Sequence, residues 1–281
     1  MPSVPELPTL TATRYVQPLR EGGSLPAVVD TDEGGLFVAK FRGAGQGAKA
    51  LVAELVVGLL ARAAGLPTPE PALVEVLPAF GRTEPDPEIQ ELLRASHGVN
   101  VGLRYLDGAF NFDPTAAGDL ITPDLAARVV WFDAFTTNPD RTARNPNILI
   151  WERRPWLIDH GAAIYAHHDW SGVDEARTRT PFPLIRDHVL LMLAGNLEDA
   201  DAELAGALTA DVVAEVLERV PDELLLDPTA RPEFASAEEA RSRYARYLSE
   251  RLRPPRTFLA EALAARERAA HEPPRRRSAR R

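Results

Sequence analysis

The chain contains no cysteine, only two lysines, and no apolar run long enough to cross a bilayer. Without cysteine there are no disulfides, no thiolate nucleophile and no cysteine-based zinc site. The most apolar stretch, around Leu51 to Ala64, is interrupted by Glu54 and Arg62, and it falls short of the roughly 20 residues a membrane span requires. The opening segment MPSVPELPTL has neither a basic n-region nor an apolar h-region, so no secretory signal is expected and the reading is a cytoplasmic protein without a membrane partner.

What is present is globular. Hydrophobic residues make up 45% and charged residues 26% of 281 positions, which excludes a disordered, collagen-like or repeat-built chain and leaves room for one large domain or two packed lobes. The formal charge is −9, and setting aside the five arginines of residues 275–281 leaves −14 over residues 1–274. An acidic body repels nucleic-acid backbones, so no general nucleic-acid binding is expected. The basic tail, residues 271–281, reads as disordered and solvated.

Lysine scarcity directs attention. Of 32 basic residues only Lys40 and Lys49 are lysine, and a chain so biased towards arginine keeps a lysine where a compact ammonium is needed and a planar guanidinium does not fit. Lys40 lies in Leu36-Phe-Val-Ala-Lys-Phe, the third of three strands expected between residues 13 and 42. They form an antiparallel meander whose first turn holds Gly22, Gly23 and Ser24. Residues 48–64 have helical periodicity with Leu51, Leu55 and Leu59 on one face and Gly65 as C-cap. A strand at 72–77, a short helix at 87–96 and a strand at 99–106 lead to Asp107-Gly108, a natural hinge. Beyond it, an apolar-faced helix at 123–137, a polar loop at 138–147 and strands at Ile148-Leu-Ile-Trp and Trp156-Leu-Ile precede helical periodicity from 183 to 270, broken at Asn196, Pro221 and Pro228 to Pro232. The division is a strand-rich part, 1–107, and a helix-rich part, 108–270: an α+β protein.

Three elements carry candidate chemistry. A glycine turn at Gly22-Gly23-Ser24 lets backbone N–H groups approach phosphate, and Lys40 on a strand can hold the same phosphates with Glu54 on the following helix orienting it; the plainer reading is a hairpin turn and a surface ion pair. The loop Asn138-Pro-Asp140-Arg141-Thr-Ala-Arg144-Asn145-Pro-Asn147 places an Asn five residues after an Asp and leads into a strand. That spacing suits a phosphotransfer loop in which the carboxylate takes a hydroxyl proton and the amide oxygen binds Mg²⁺, and it equally suits an Asx-turn. Finally, Asp159-His160-Gly161 ends a short strand, where alone it reads as a turn, and where its carboxylate can meet Asp140 and Asn145 across one Mg²⁺, an ion that favours oxygen donors. Gly43 to Gly47 with Lys49 reads first as a flexible loop and second as a source of further backbone donors near phosphate. Arg141 and Arg144 suit neutralisation of a transferring phosphoryl group or ordinary loop pairing. His167-His168-Asp169 reads as surface or supporting residues.

Taken in order, these elements resemble the HipA-like kinases, a branch of the protein-kinase-like fold related to phosphatidylinositol kinases, over residues 13 to 200. The resemblance implies a bilobal fold with a β-rich N-lobe carrying one helix like the kinase αC, and a mainly α-helical C-lobe. It implies ATP and Mg²⁺ as cofactors and a hydroxyl acceptor, a protein Ser or Thr. Asp140 becomes the catalytic base, Asn145 and Asp159 the metal ligands, and Lys40 the phosphate contact supported by Glu54. Gly22, Gly23 and Ser24 cover the phosphates, and the backbone of Arg104, Tyr105 and Leu106 holds adenine. Asn147 directly precedes Ile-Leu-Ile and competes with Asn145 as the ligand. His160 stands where the familiar motif has Phe, and the glycine turn lacks the fuller pattern, so neither toxin activity nor an antitoxin-like partner is assumed. Two alternatives stay open: a silent pseudokinase-like module, and a metal hydrolase built on His160, His167, His168 and Asp169.

Overall fold

The architecture comes from a computed structural model and is described for residues 4–19, 25–45, 47–82, 84–115, 118–227 and 233–271. The turn at Gly22, Gly23 and Ser24 and the tail from 272 onward lie outside the described residues. The protein is mixed α+β, strand-rich in its N-terminal region and helical in its C-terminal region.

The N-terminal region runs β1 (Thr9–Pro18), β2 (Ala27–Thr31), β3 (Leu36–Lys40), α1 (Gly47–Ala63), β4 (Pro71–Val76), α2 (Pro87–Ala95) and β5 (Gly98–Arg104). β1 to β3 form the expected meander, but the sheet is not wholly antiparallel. β1 and β4 pair in parallel, Thr9 opposite Leu73 and Leu10 opposite Val74, which closes a barrel in the order β1-β2-β3-β5-β4. Turn residues predict hairpin neighbours, whereas β4 returns after a helical crossover that leaves its partner unspecified by local signals. Alternation along β3 sends Phe37 and Ala39 into the barrel. Lys40, paired with Val101 of β5, therefore faces the other way, on the side where Val101 meets α1.

Closure makes small residues necessary. A methyl group on Gly102 of β5 would lie 2.6 Å from Val74 Cγ2 and 3.5 Å from Phe37 Cβ. Gly102→Ala is expected to cost about 1–3 kcal/mol by overpacking, read as a lower denaturant midpoint at an unchanged slope.

The single apolar face expected for α1 is an understatement. The helix is buried almost all round, Leu51, Leu55 and Leu59 as well as Val52, Val56 and Leu60, because it packs between the barrel and the C-terminal helices. Glu54 is thereby carried into the interior at 1% exposure.

The C-terminal region contains β6 (Phe110–Asn111), α3 (Pro123–Thr136), β7 (Ile148–Trp151), β8 (Arg154–Leu157), α4 (Glu175–Thr178), α5 (Leu197–Ala207), α6 (Ala210–Glu218), α7 (Asp222–Leu225), α8 (Ala237–Leu252) and α9 (Thr257–His271). The two-residue β6, too short to show periodicity, adds to the β7–β8 hairpin. Asn196, expected as a break, caps α5: its side chain accepts from Glu198 and Asp199 N–H groups. Residues 183–187 form a short 3₁₀ turn instead of a helix. α3 is stopped at its start by Thr122, whose hydroxyl accepts from Leu125 N at 3.2 Å, and at its end by Thr137 in the left-handed region. Its rings Trp131 and Phe135 pack on Phe258 of α9 at 5.2 and 6.0 Å. Among the described residues, no helix is long and apolar enough to cross a membrane.

Candidate active site

Three distant stretches of chain meet at Lys40. Its ammonium donates to Glu54 Oε2 at 2.7 Å and to Asp159 Oδ1 at 2.6 Å, the latter 119 residues away. Burial alone would lower the Lys40 pKa, but the Glu54 and Asp159 carboxylates outweigh it and hold the group above its ordinary value. Burial would likewise raise Asp159, and the Lys40 charge reverses that, holding it below the carboxylate range. Glu54 lies deeper, and there burial wins over Lys40 and raises its pKa. Gly161 packs against α1: a Cβ there would sit at ordinary contact distance, 3.4 Å from Ala50 O and 3.6 Å from Glu54 Oε2. A small cleft borders the group, lined by Lys40, Ala44, Gly47, Ala50, Asp159 and Gly161.

Asp140 is half-buried in the loop between α3 and β7. Its Oδ2 accepts from Asn145 Nδ2 at 2.9 Å and from Asn147 Nδ2 at 3.3 Å. The two candidate amides are thus gathered on one carboxylate, Asn145 exposed and Asn147 8% exposed. Asn147 and Asp159 both take positive φ, 49° and 57°, a region that non-glycine residues enter at a cost and that Asn and Asp tolerate best. A carboxylate with amide oxygens close by is a hard donor set that fits Mg²⁺.

Beneath this loop lies a buried polar network that the sequence reading missed. Asp133 of α3, fully buried, accepts from Arg141 Nε at 2.5 Å and His188 Nε2 at 2.9 Å through Oδ2, and from Asn138 Nδ2 at 3.3 Å through Oδ1. Burial opposes ionisation of Asp133, but Arg141 and His188 outweigh it and hold its carboxyl far below the usual range. The signal was available: a lone carboxylate in the apolar run Val129-Val-Trp-Phe-Asp-Ala-Phe. Arg141 is 1% exposed and committed to this network, so of its two expected roles the structure favours pairing with an acidic neighbour over neutralising a phosphoryl group. It donates further to the carbonyls of Asn147 and Ile158 and lies 3.4 Å from His160 Nδ1. His160, at the place of the expected Phe, is buried and its pKa falls to about 3 through burial and the Arg141 charge.

The amides of Arg104 and Tyr105 donate to Glu70 O and Leu36 O, both at 2.8 Å, and Leu106 is buried. Lys49 does not turn to the cleft: it donates to His167 O at 2.5 Å and pairs with Glu233 at 2.7 Å. His167 is not a surface residue but fully buried, with Nδ1 3.1 Å from the Tyr244 hydroxyl. Burial pushes its pKa down to about 3. Among the described residues, no three His, Asp or Glu side chains converge as a metal cage, so the hydrolase set of His160, His167, His168 and Asp169 is not assembled.

A family model described as HipA-like kinase matches residues 13–176. Among solved structures, the Helicobacter pylori proinflammatory kinase CtkA is similar in fold at 11% identity, with 95% of this chain and 100% of that chain covered and a TM-score of 0.55. No curated protein matches the chain.

Proposed function

The chain belongs to the HipA-like kinase family, and from that premise we propose that it is an ATP-dependent phosphotransferase that moves the γ-phosphoryl group to a hydroxyl of a protein Ser or Thr. The observation that carries this reading is the Lys40 ammonium seated between Glu54 and Asp159 at the edge of a small cleft. A phosphotransfer site needs little covalent chemistry from the protein and depends on positioning and charge.

In this reading residues 1–107 form an N-lobe and 108–270 a C-lobe, with the nucleotide between them. Lys40 holds the phosphates and Glu54 holds Lys40. Gly22, Gly23 and Ser24 cover the phosphates, as the family resemblance implies. The amides of Arg104 and Tyr105 are already engaged, so adenine is read by the Tyr105 carbonyl and the Leu106 amide. Asp159 and the amide oxygen of Asn145 or Asn147 would hold Mg²⁺, which would neutralise charge on the phosphates. Asp140 accepts the acceptor's proton as the acceptor oxygen bonds to phosphorus and the bond to the departing ADP oxygen breaks. His160, which with the incomplete glycine turn keeps a silent module open, sits inside the Arg141 network and leaves Asp159 on Lys40.

Purified protein given Mg·ATP is expected to release ADP and to phosphorylate itself or an added protein, read by mass spectrometry. ATP bound but never turned over would select the silent module. The metal ligand is decided by Asn145→Ala and Asn147→Ala. Loss of supporting partners costs roughly 10–100-fold in metal affinity, so the true ligand's variant should raise the half-saturating Mg²⁺ by at least tenfold. The other variant should lower kcat alone, through Asp140. Unchanged Mg²⁺ dependence in both would remove the amides from the metal site.

A further inference from the structure

We infer that Asp133, which touches none of the proposed reacting groups, is a positioning residue that sets the catalytic loop through Arg141. The inference rests on the phosphotransfer reading above. A carboxylate buried among Phe132, Ala134 and Phe135 is expensive unless it is paired and hydrogen-bonded. Its partners are Arg141, His188 and Asn138. His188 accepts the Leu190 N–H on Nδ1 at 3.1 Å, which leaves the ring proton on Nε2, so His188 serves Asp133 as a neutral donor. Arg141 is therefore the counter-charge.

The consequence follows from the guanidinium's shape. It is a planar fork with fixed angles, so anchoring Nε also fixes both terminal nitrogens. One of these donates to the carbonyls of Asn147 and Ile158, and the other faces His160 Nδ1. Arg141 itself follows Asp140, Asn147 is a candidate metal ligand, and Ile158 and His160 flank Asp159. A single carboxylate on α3 thus sets the relative placement of the base and the metal-holding residues. Misplacement by about 1 Å can cost on the order of 10²-fold in rate.

The test compares Asp133→Asn and Arg141→Lys with Asp201→Asn in the full chain. Asp201 also supports α3, from a half-buried position, through Trp131 Nε1 at 2.7 Å and Arg256 at 2.8 Å, but it lies outside the network. Asp133→Asn and Arg141→Lys should each lower kcat by about 10- to 100-fold with the KM for ATP within threefold, and should raise the Mg²⁺ requirement, while Asp201→Asn keeps wild-type kcat. A kcat within threefold of wild type in both network variants, or an equal loss in Asp201→Asn, would overturn the inference. If the wild-type protein turns over no ATP, the phosphotransfer reading fails by itself and hydrogen exchange decides the positioning role. Faster exchange at the Thr142, Asn145 and Ile158 amides in Asp133→Asn but not in Asp201→Asn supports it; equal exchange in the two variants rejects it.

Discussion

Asp140→Asn is expected to slow phosphoryl transfer by a factor of about 10² to 10⁴, the usual contribution of a positioned general base, while Mg·ATP binding stays within a few-fold of wild type. The substitution is nearly isosteric. The amide oxygen can still accept from Asn145 and Asn147, the two donors now gathered on Oδ2, so the loop keeps its shape and loses only the group that takes the proton. Asp159→Asn should behave differently. Asp159 contacts the Lys40 ammonium directly and is the proposed metal carboxylate, so its loss should weaken nucleotide binding as well as transfer. Single-turnover transfer separates the rate effects, and calorimetry with a nonhydrolysable ATP analogue separates the binding effects. Transfer within tenfold of wild type in Asp140→Asn would move the base elsewhere. Equal unfolding of both variants by circular dichroism would make the two carboxylates structural.

The residues that were legible in the sequence share one property: their chemistry is tied to a local pattern. Lys40 is a rare lysine on an alternating strand, and Asp140, Asn145 and Asp159 sit at recognisable spacings beside short strands. The contact of Lys40 with Asp159 spans 119 positions, and order along the chain is enough to suggest it only because the family pattern supplies the fold. Where two stretches meet without a local signal, reading stops. β1 and β4 pair in parallel across α1, and no turn residue announces it. Asp133 looks like a polar interruption of an apolar helix until Arg141 is found beside it. Local pattern leaves Arg141 open between phosphate and acidic partner, and His167 between surface and support, for the same physical reason: polar side chains are mostly exposed, and a buried one is recognised only once its partners are in place.

Burial of those histidines sets the second large expectation, a steep loss of stability in mild acid. His160 and His167 have pKa values lowered to about 3 by burial, reinforced by the Arg141 charge for His160 and by His168 and Lys49 for His167. His188 is lowered too, since burial outweighs the attraction of Asp133. In the unfolded chain each titrates near 6.5. Below that pH the unfolded state takes up protons the native state refuses, so stability is complete above about 6.5 and falls as pH drops towards 3. Each buried histidine contributes a slope of about 1.4 kcal/mol per pH unit, or roughly 2 kcal/mol between pH 6.5 and 5. His160 and His167 together therefore remove about 4 kcal/mol of a total that is typically 5–15 kcal/mol. The lowered carboxylates Asp133 and Asp159 act in a separate window. Their stabilisation is present above the ordinary carboxylate pKa and is lost only as pH falls below it, so they do not contribute at pH 5. The body's excess negative charge shrinks over the same range and relieves some repulsion, but that charge is largely exposed and salt-screened, and the buried histidines win. Urea unfolding at pH 7 and pH 5 should show the difference directly, and His167→Phe should reduce the pH dependence by about 2 kcal/mol. Equal stability at the two pH values would mean that His160 and His167 accept protons in the folded protein, and their burial would then have to be breached by water.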